Sequence, residues 1–99
     1  MKKDIFNQYV DKVAETFELS PVDLFIKTKT RQCVDARHLL YYLCKKRPMR
    51  LTYIQQYMLE NDYKINHSSI IHGIKQVQEK INDDKDYLTV IKKIEKCIA

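Results

Sequence analysis

Apolar residues recur with a helical period along nearly the whole chain. Ile5, Phe6, Tyr9, Val10, Val13 and Phe17 make one stripe and predict a first helix over residues 4–17. Ser20, Pro21 and Asp23 are a helix-start pattern: an N-cap, a first-turn proline and an acid in the positive first turn. They predict a short second helix ending near Phe25. Residues 26–32 break the period and read as a basic loop. Residues 31–46 carry Val34, Leu39, Leu40, Leu43 and Cys44, with Tyr41 and Tyr42 beside them, so much of this third helix is apolar and it is expected at the centre. Pro48 stops it. A fourth helix is predicted over 51–59, with Ile54, Met58 and Leu59 inward, then a polar turn over 60–65. A fifth runs to about Ile81. A loop at 82–84 supplies aspartate caps for a sixth over 86–98, whose buried stripe is Tyr87, Leu88, Ile91, Ile94 and Ile98.

The start of the fifth helix, NHSSIIHGIK, has two faces. At about 100° per residue, Ile70, Ile74, Val77 and Ile81 fall within about 60° of one another and face the core. Ser68, His72, Lys75, Gln76 and Glu79 fall opposite. Asn66 is placed to cap, and His67, Ser68 and Ser69 fill the first turn. Free amides and a positive dipole make that end suited to a phosphate or a base edge. With the helix before it, the stretch forms a helix-turn-helix, a motif whose second helix enters the major groove by its amino end. On the wheel alone, a plain capped helix with a wet face is the commoner reading of such a pattern.

Composition narrows the classes. Ninety-nine residues with 44% apolar side chains suit one small domain over 1–99, all-α, of about six helices. A single glycine excludes phosphate-cradling loops and dinucleotide folds, so no nucleotide is expected. Eighteen basic against thirteen acidic residues, net +5, favour an anionic partner. Cys33, Cys44 and Cys97 form no CxxC, and no stretch approaches the ~20 apolar residues of a membrane span, which points to a reducing cytoplasm and no membrane. His67 and His72 are wrongly spaced to share a metal on one helix, and no Cys–His pair reads as a nucleophile. The expectation is no metal, no cofactor and no enzyme. Lys92, Lys93 and Lys96 read as a solvated face, and Tyr53, Tyr57 and Tyr63 as packing.

Three ordered stretches resemble a known family. Residues 13–24 are similar to the opening of the C-terminal DNA-binding domain of the bacterial replication initiator DnaA. Residues 27–37 look like its basic loop and the start of its long helix. His67-Ser68-Ser69-Ile70-Ile71-His72 corresponds to its signature Asp-His-Thr-Thr-Val-Leu-His. The resemblance covers residues 9–98. It implies a helix-turn-helix reading the major groove and a basic loop that places a cation in the adjacent minor groove. Carried over, Lys29 stands at the minor-groove position, Arg37 at a base-reading arginine of the long helix, Asn66, His67, Ser68 and Ser69 at the major-groove readers, and His72 near the backbone. This chain departs in three places. Asn66 replaces an aspartate, which shifts preference from cytosine toward adenine. Lys29 replaces an arginine. The turn before His67 is longer and lacks the family's two glycines.

The expected function is sequence-specific binding of double-stranded DNA. Lys29, Arg37, Asn66, His67, Ser68 and Ser69 read bases, while Lys27, Thr28, Thr30, Arg31, Lys45, Arg50, His72 and Lys75 hold phosphates. The role expected is regulation of replication initiation or transcription in a bacterial cell, without an ATPase module, in a protein carried by a phage or mobile element. Replication or transcription proteins are further expected partners. The alternative is a protein-interaction module that kept the fold and lost the DNA site.

Overall fold

The computed structural model describes residues 2–98 and is all-α. The elements are α1 (Lys2–Thr16), a 3-10 turn (Pro21–Phe25), α2 (Arg31–Lys46), α3 (Leu51–Glu60), α4 (His67–Asp83) and α5 (Lys85–Lys96). The expected short second helix is thus a 3-10 turn. The expected loop at 82–84 shrinks to Asp84, whose carboxylate accepts from the Asp86 N–H at 3.0 Å and caps α5. No described helix is long and apolar enough to cross a membrane.

α2 is the central helix, as its wide apolar surface requires. Ala36, Leu39, Leu40 and Leu43 are wholly excluded from solvent, among Phe6 and Val13 of α1, Ile54 and Met58 of α3, Ile70 of α4 and Ile91 of α5. Its most extensive contact is with α4. There the chain's one glycine decides how near the helices come. A Cβ on Gly73 would lie 2.8 Å from Cδ2 of His38 and 3.0 Å from Cδ2 of Tyr41. Gly73 sits between Ile70 and Val77 on the buried face. A mid-helix glycine costs about 1 kcal/mol in propensity, and here it permits the crossing. Ile70 and Val77 are buried, while Ile74 and Ile81, expected with them, are only partly covered. An ion pair between Lys80 and Asp35 (3.0 Å) spans the same two helices.

α1 and α3 end alike. Leu19 N–H bonds the Ala14 carbonyl (2.8 Å) and Glu18 N–H that of Glu15 (3.1 Å). Tyr63 N–H bonds the Met58 carbonyl (3.0 Å) and Asp62 N–H that of Leu59 (2.9 Å). Both are Schellman turns, in which one residue must be left-handed, usually glycine. Glu18 (φ 57°) and Asp62 (φ 62°) take that position here. Aspartate tolerates it better than glutamate. The turn therefore closes without the expected family glycines. It also leaves Leu59 on the outer side of the last turn of α3. Leu59 is 56% exposed rather than inward, which corrects the sequence expectation.

Candidate nucleic-acid interface

Asn66 starts α4 from an extended backbone, and its Oδ1 accepts from the Ser69 N–H at 2.8 Å. The cap uses one of that oxygen's two acceptor positions. Among the described residues, the Nδ2 amide donates to no protein group. His67, Ser68 and Ser69 are exposed, and the first turn holds no acidic residue. One turn on, His72, Ile71 and Lys75 are also exposed. The amino end of α4 thus presents donors, a positive dipole and no competing carboxylate.

The basic loop faces this end across a cleft of about 410 Å³. Lys27, Thr28 and Lys29 line one side and Ser69 and His72 the other. Arg37, His38 and Tyr41 of α2 and Tyr63, Lys64 and Ile65 of the turn before α4 complete its lining. A second cleft, about 550 Å³, shares Lys27, Lys64 and Ile65 with the first. It is completed by Asn66 and by Thr52, Gln55, Gln56 and Leu59, one face of α3. Gln55 Nε2 donates to the Ile65 carbonyl at 2.8 Å and ties that face to the residue before the cap.

Local bonds shape the loop. Thr28 N–H reaches the Ile26 carbonyl (2.7 Å), and Thr30 N–H reaches the Thr28 hydroxyl (3.3 Å). The main support is Arg37. Its guanidinium donates from Nη1 to the carbonyls of Ile26 (3.0 Å) and Leu24 (3.5 Å), and from Nη2 to that of Thr28 (2.8 Å). Arg37 is 5% exposed. The expected base-reading role for Arg37 is therefore corrected. Its donors are committed to the carbonyls of Leu24, Ile26 and Thr28, and turning the guanidinium outward would break all three bonds that hold the loop.

Thr30, Arg31, Arg50 and Lys45, also expected as contacts, do not line the first cleft. Thr30 precedes α2, and Arg31, exposed, pairs with Asp35 at 3.3 Å. Arg50 precedes α3, its carbonyl accepting from Tyr53 and Ile54. Lys45 lines a separate shallow cleft with Tyr42, Lys46, Ile74 and Gln78, and so is not brought beside the basic loop.

Three residues of the face were not singled out from the sequence. Lys64 adds a third lysine to the loop's two; a basic residue in the turn before a recognition helix was its only signal. Ile71 is 41% exposed on the helix that would enter a groove. His38 lies half-buried with its ring edge-on to His72, centroids 5.8 Å apart. Burial, then the neighbouring His72 imidazole, holds His38 below the ordinary histidine pKa. Burial pushes the Tyr41 phenol up, and among the described residues its hydroxyl has no hydrogen-bond partner. Cys33 and Cys44 are buried, and burial raises the Cys44 thiol well above its usual range. Among the described residues no three His, Cys, Asp or Glu side chains converge as metal ligands.

The family described as the bacterial dnaA protein helix-turn-helix matches residues 7–77, from the first turns of α1 to the second half of α4. That match takes in the basic loop, both clefts, α3, the turn and α4 as far as Val77, leaving α5 outside it. The chain belongs to the bacterial dnaA helix-turn-helix family, and DNA binding is the activity this membership implies.

Proposed function

We propose that the domain binds double-stranded DNA sequence-specifically, with the amino end of α4 in the major groove and the loop of residues 27–31 on the neighbouring strand and minor groove. One observation carries this reading: Lys27 and Lys29 line the same cleft as Ser69 and His72. A phosphodiester strand separates a duplex's two grooves. A cationic cleft between a basic loop and a helix start suits the passage of such a strand.

Asn66, His67, Ser68 and Ser69 read the major-groove edge, and Lys29 the minor groove. Oδ1 of Asn66 holds the cap with one of its two acceptor positions, and its Nδ2 is the donor offered to a base acceptor such as adenine N7. Ile71 offers an apolar surface to a thymine methyl. Lys27, Thr28, Thr30, Arg31, Lys64, His72 and Lys75 hold phosphates around the cleft, with Lys45 and Arg50 reaching the duplex further out. Arg37 works by holding the loop. The biological role is regulation of replication initiation or of transcription, by occupying sites and recruiting replication or transcription proteins.

Selection of bound duplexes from a random pool, followed by gel shifts on the selected and a scrambled duplex at two salt concentrations, tests this. A clear preference for the selected duplex is expected, with log K falling against log salt at a slope near −4 to −5 for about five phosphate contacts. No enrichment above the scrambled duplex would reject it. The exposed apolar side chains Val22, Ile26 and Leu59 favour the other reading, a protein-interaction module, which the same failure would promote.

A further inference from the structure

The turn between α3 and α4 is built to present one side chain. The Schellman closure at Asp62 directs the chain back so that Tyr63 packs on the core edge. The Tyr63 ring then lies against two cations, Cζ of Arg37 at 5.1 Å and Nζ of Lys27 at 5.5 Å from its centroid. Arg37 is the residue whose guanidinium carries the carbonyls of Ile26 and Thr28. Only Lys64 and Ile65 separate Tyr63 from Asn66, and Ile65 is anchored in turn by Gln55. A short physical path therefore runs from the basic loop through Arg37 and Tyr63 to the cap of α4.

Resting on the DNA-binding reading above, we propose that Tyr63 is a positioning residue that fixes the basic loop at a set distance from the amino end of α4. It acts through its π face, which is attracted to the guanidinium in a site partly shielded from water. Fixing that distance matters because the loop and the helix start must meet two adjacent grooves at once. A loop free to wander still attracts phosphates, but it loses the register in which both readers touch their bases. The clamp therefore governs discrimination between sequences more than attraction to DNA.

Three variants test this: Tyr63→Phe keeps the π face, Tyr63→Leu keeps bulk against the core without it, and Tyr63→Ala removes both. Affinity is measured for the selected duplex and for a scrambled duplex, well below each variant's melting temperature. Tyr63→Phe is expected to match the parent. Tyr63→Leu and Tyr63→Ala are expected to lose about tenfold in the ratio of the two affinities, with binding to the scrambled duplex changed less than about threefold. A second readout needs no DNA. ¹⁵N relaxation of the Thr28–Thr30 amides in the free protein should show greater motion in the Leu and Ala variants and none added in Phe. An unchanged ratio in Tyr63→Leu, or rigid loop amides, overturns the clamp. If the parent itself prefers no duplex, the DNA reading fails alone, and the relaxation data still decide whether Tyr63 holds the loop.

Discussion

The crossing of α2 and α4 and the face that joins the basic loop to the start of α4 are held by different forces. At the crossing, apolar side chains are fully buried and Gly73 lets the His38 and Tyr41 rings of α2 lie against the α4 backbone. Many weak, non-directional contacts share the load there. On the face, a guanidinium, three carbonyls, a tyrosine ring, a glutamine and a cap fix the geometry. These are few and directional, so losing one moves a reader without unfolding the chain. Stability and recognition should therefore separate under mutation.

The largest effect should come from the buried core around α2. Leu40→Ala, at a position with no exposure, is expected to lower unfolding free energy by about 2–5 kcal/mol in urea titration. Affinity per folded molecule should stay near the parent's. A matching loss of affinity would mean the two regions are not separable.

Next comes Asn66, which has two tasks. Asn66→Ala should weaken the selected duplex by about 1–3 kcal/mol and also cost about 1 kcal/mol of stability through the lost cap. Asn66→Ser keeps a capping oxygen and removes the Nδ2 donor. It should restore most of the melting temperature and little of the discrimination. Recovery of both would assign Asn66 to capping alone.

Lys64→Ala should act smaller and more evenly. The slope of log K against log salt should become shallower by about 0.9, with similar losses on selected and scrambled duplexes. An unchanged slope removes Lys64 from the phosphate contacts. Glu18→Gly relieves a left-handed glutamate far from the face and should raise stability by about 0.5–1 kcal/mol in the same urea titration, leaving DNA binding alone. A loss of stability would show that the Glu18 side chain contributes more than its backbone costs.

Smaller still is the effect of pH through His38. Its folded pKa lies below the ordinary value because of burial first and His72 second, with Lys80 and Arg37 adding in the same direction and Asp35 opposing. The unfolded chain therefore takes up the proton first. Stability should fall as pH drops below about 6.5 and level off once the folded imidazole also protonates. His38→Gln should flatten that fall. An equal slope in both proteins would place the titration elsewhere.

Much of the fold was legible because helix formation follows local period and local caps. The stripes of α1, α2 and α4, the cap at Asn66 and the stop after α2 could all be read from neighbouring residues. The elements missed depend on contacts between distant parts of the chain. Arg37 looked like an outward cation, yet carbonyls nine to thirteen residues before it draw the guanidinium inside. Tyr63 sat in a stretch that read as a polar turn, and only the closure at Asp62 turns it onto Arg37 and Lys27. Gly73 carried no pattern at all, since its value lies in what stands opposite on α2. The cationic loop and the helix start were legible as separate pieces from local pattern, while their adjacency was expected only from the family resemblance, because it depends on contacts between distant parts of the chain.

Asn66 also restricts how this domain's target preference can drift. Any replacement at that position must still satisfy the Ser69 amide, which leaves aspartate, serine and threonine as the low-cost alternatives. New base preferences at this contact are thus drawn from a short alphabet set by helix chemistry, and wider change has to be supplied by neighbouring positions that carry no such duty.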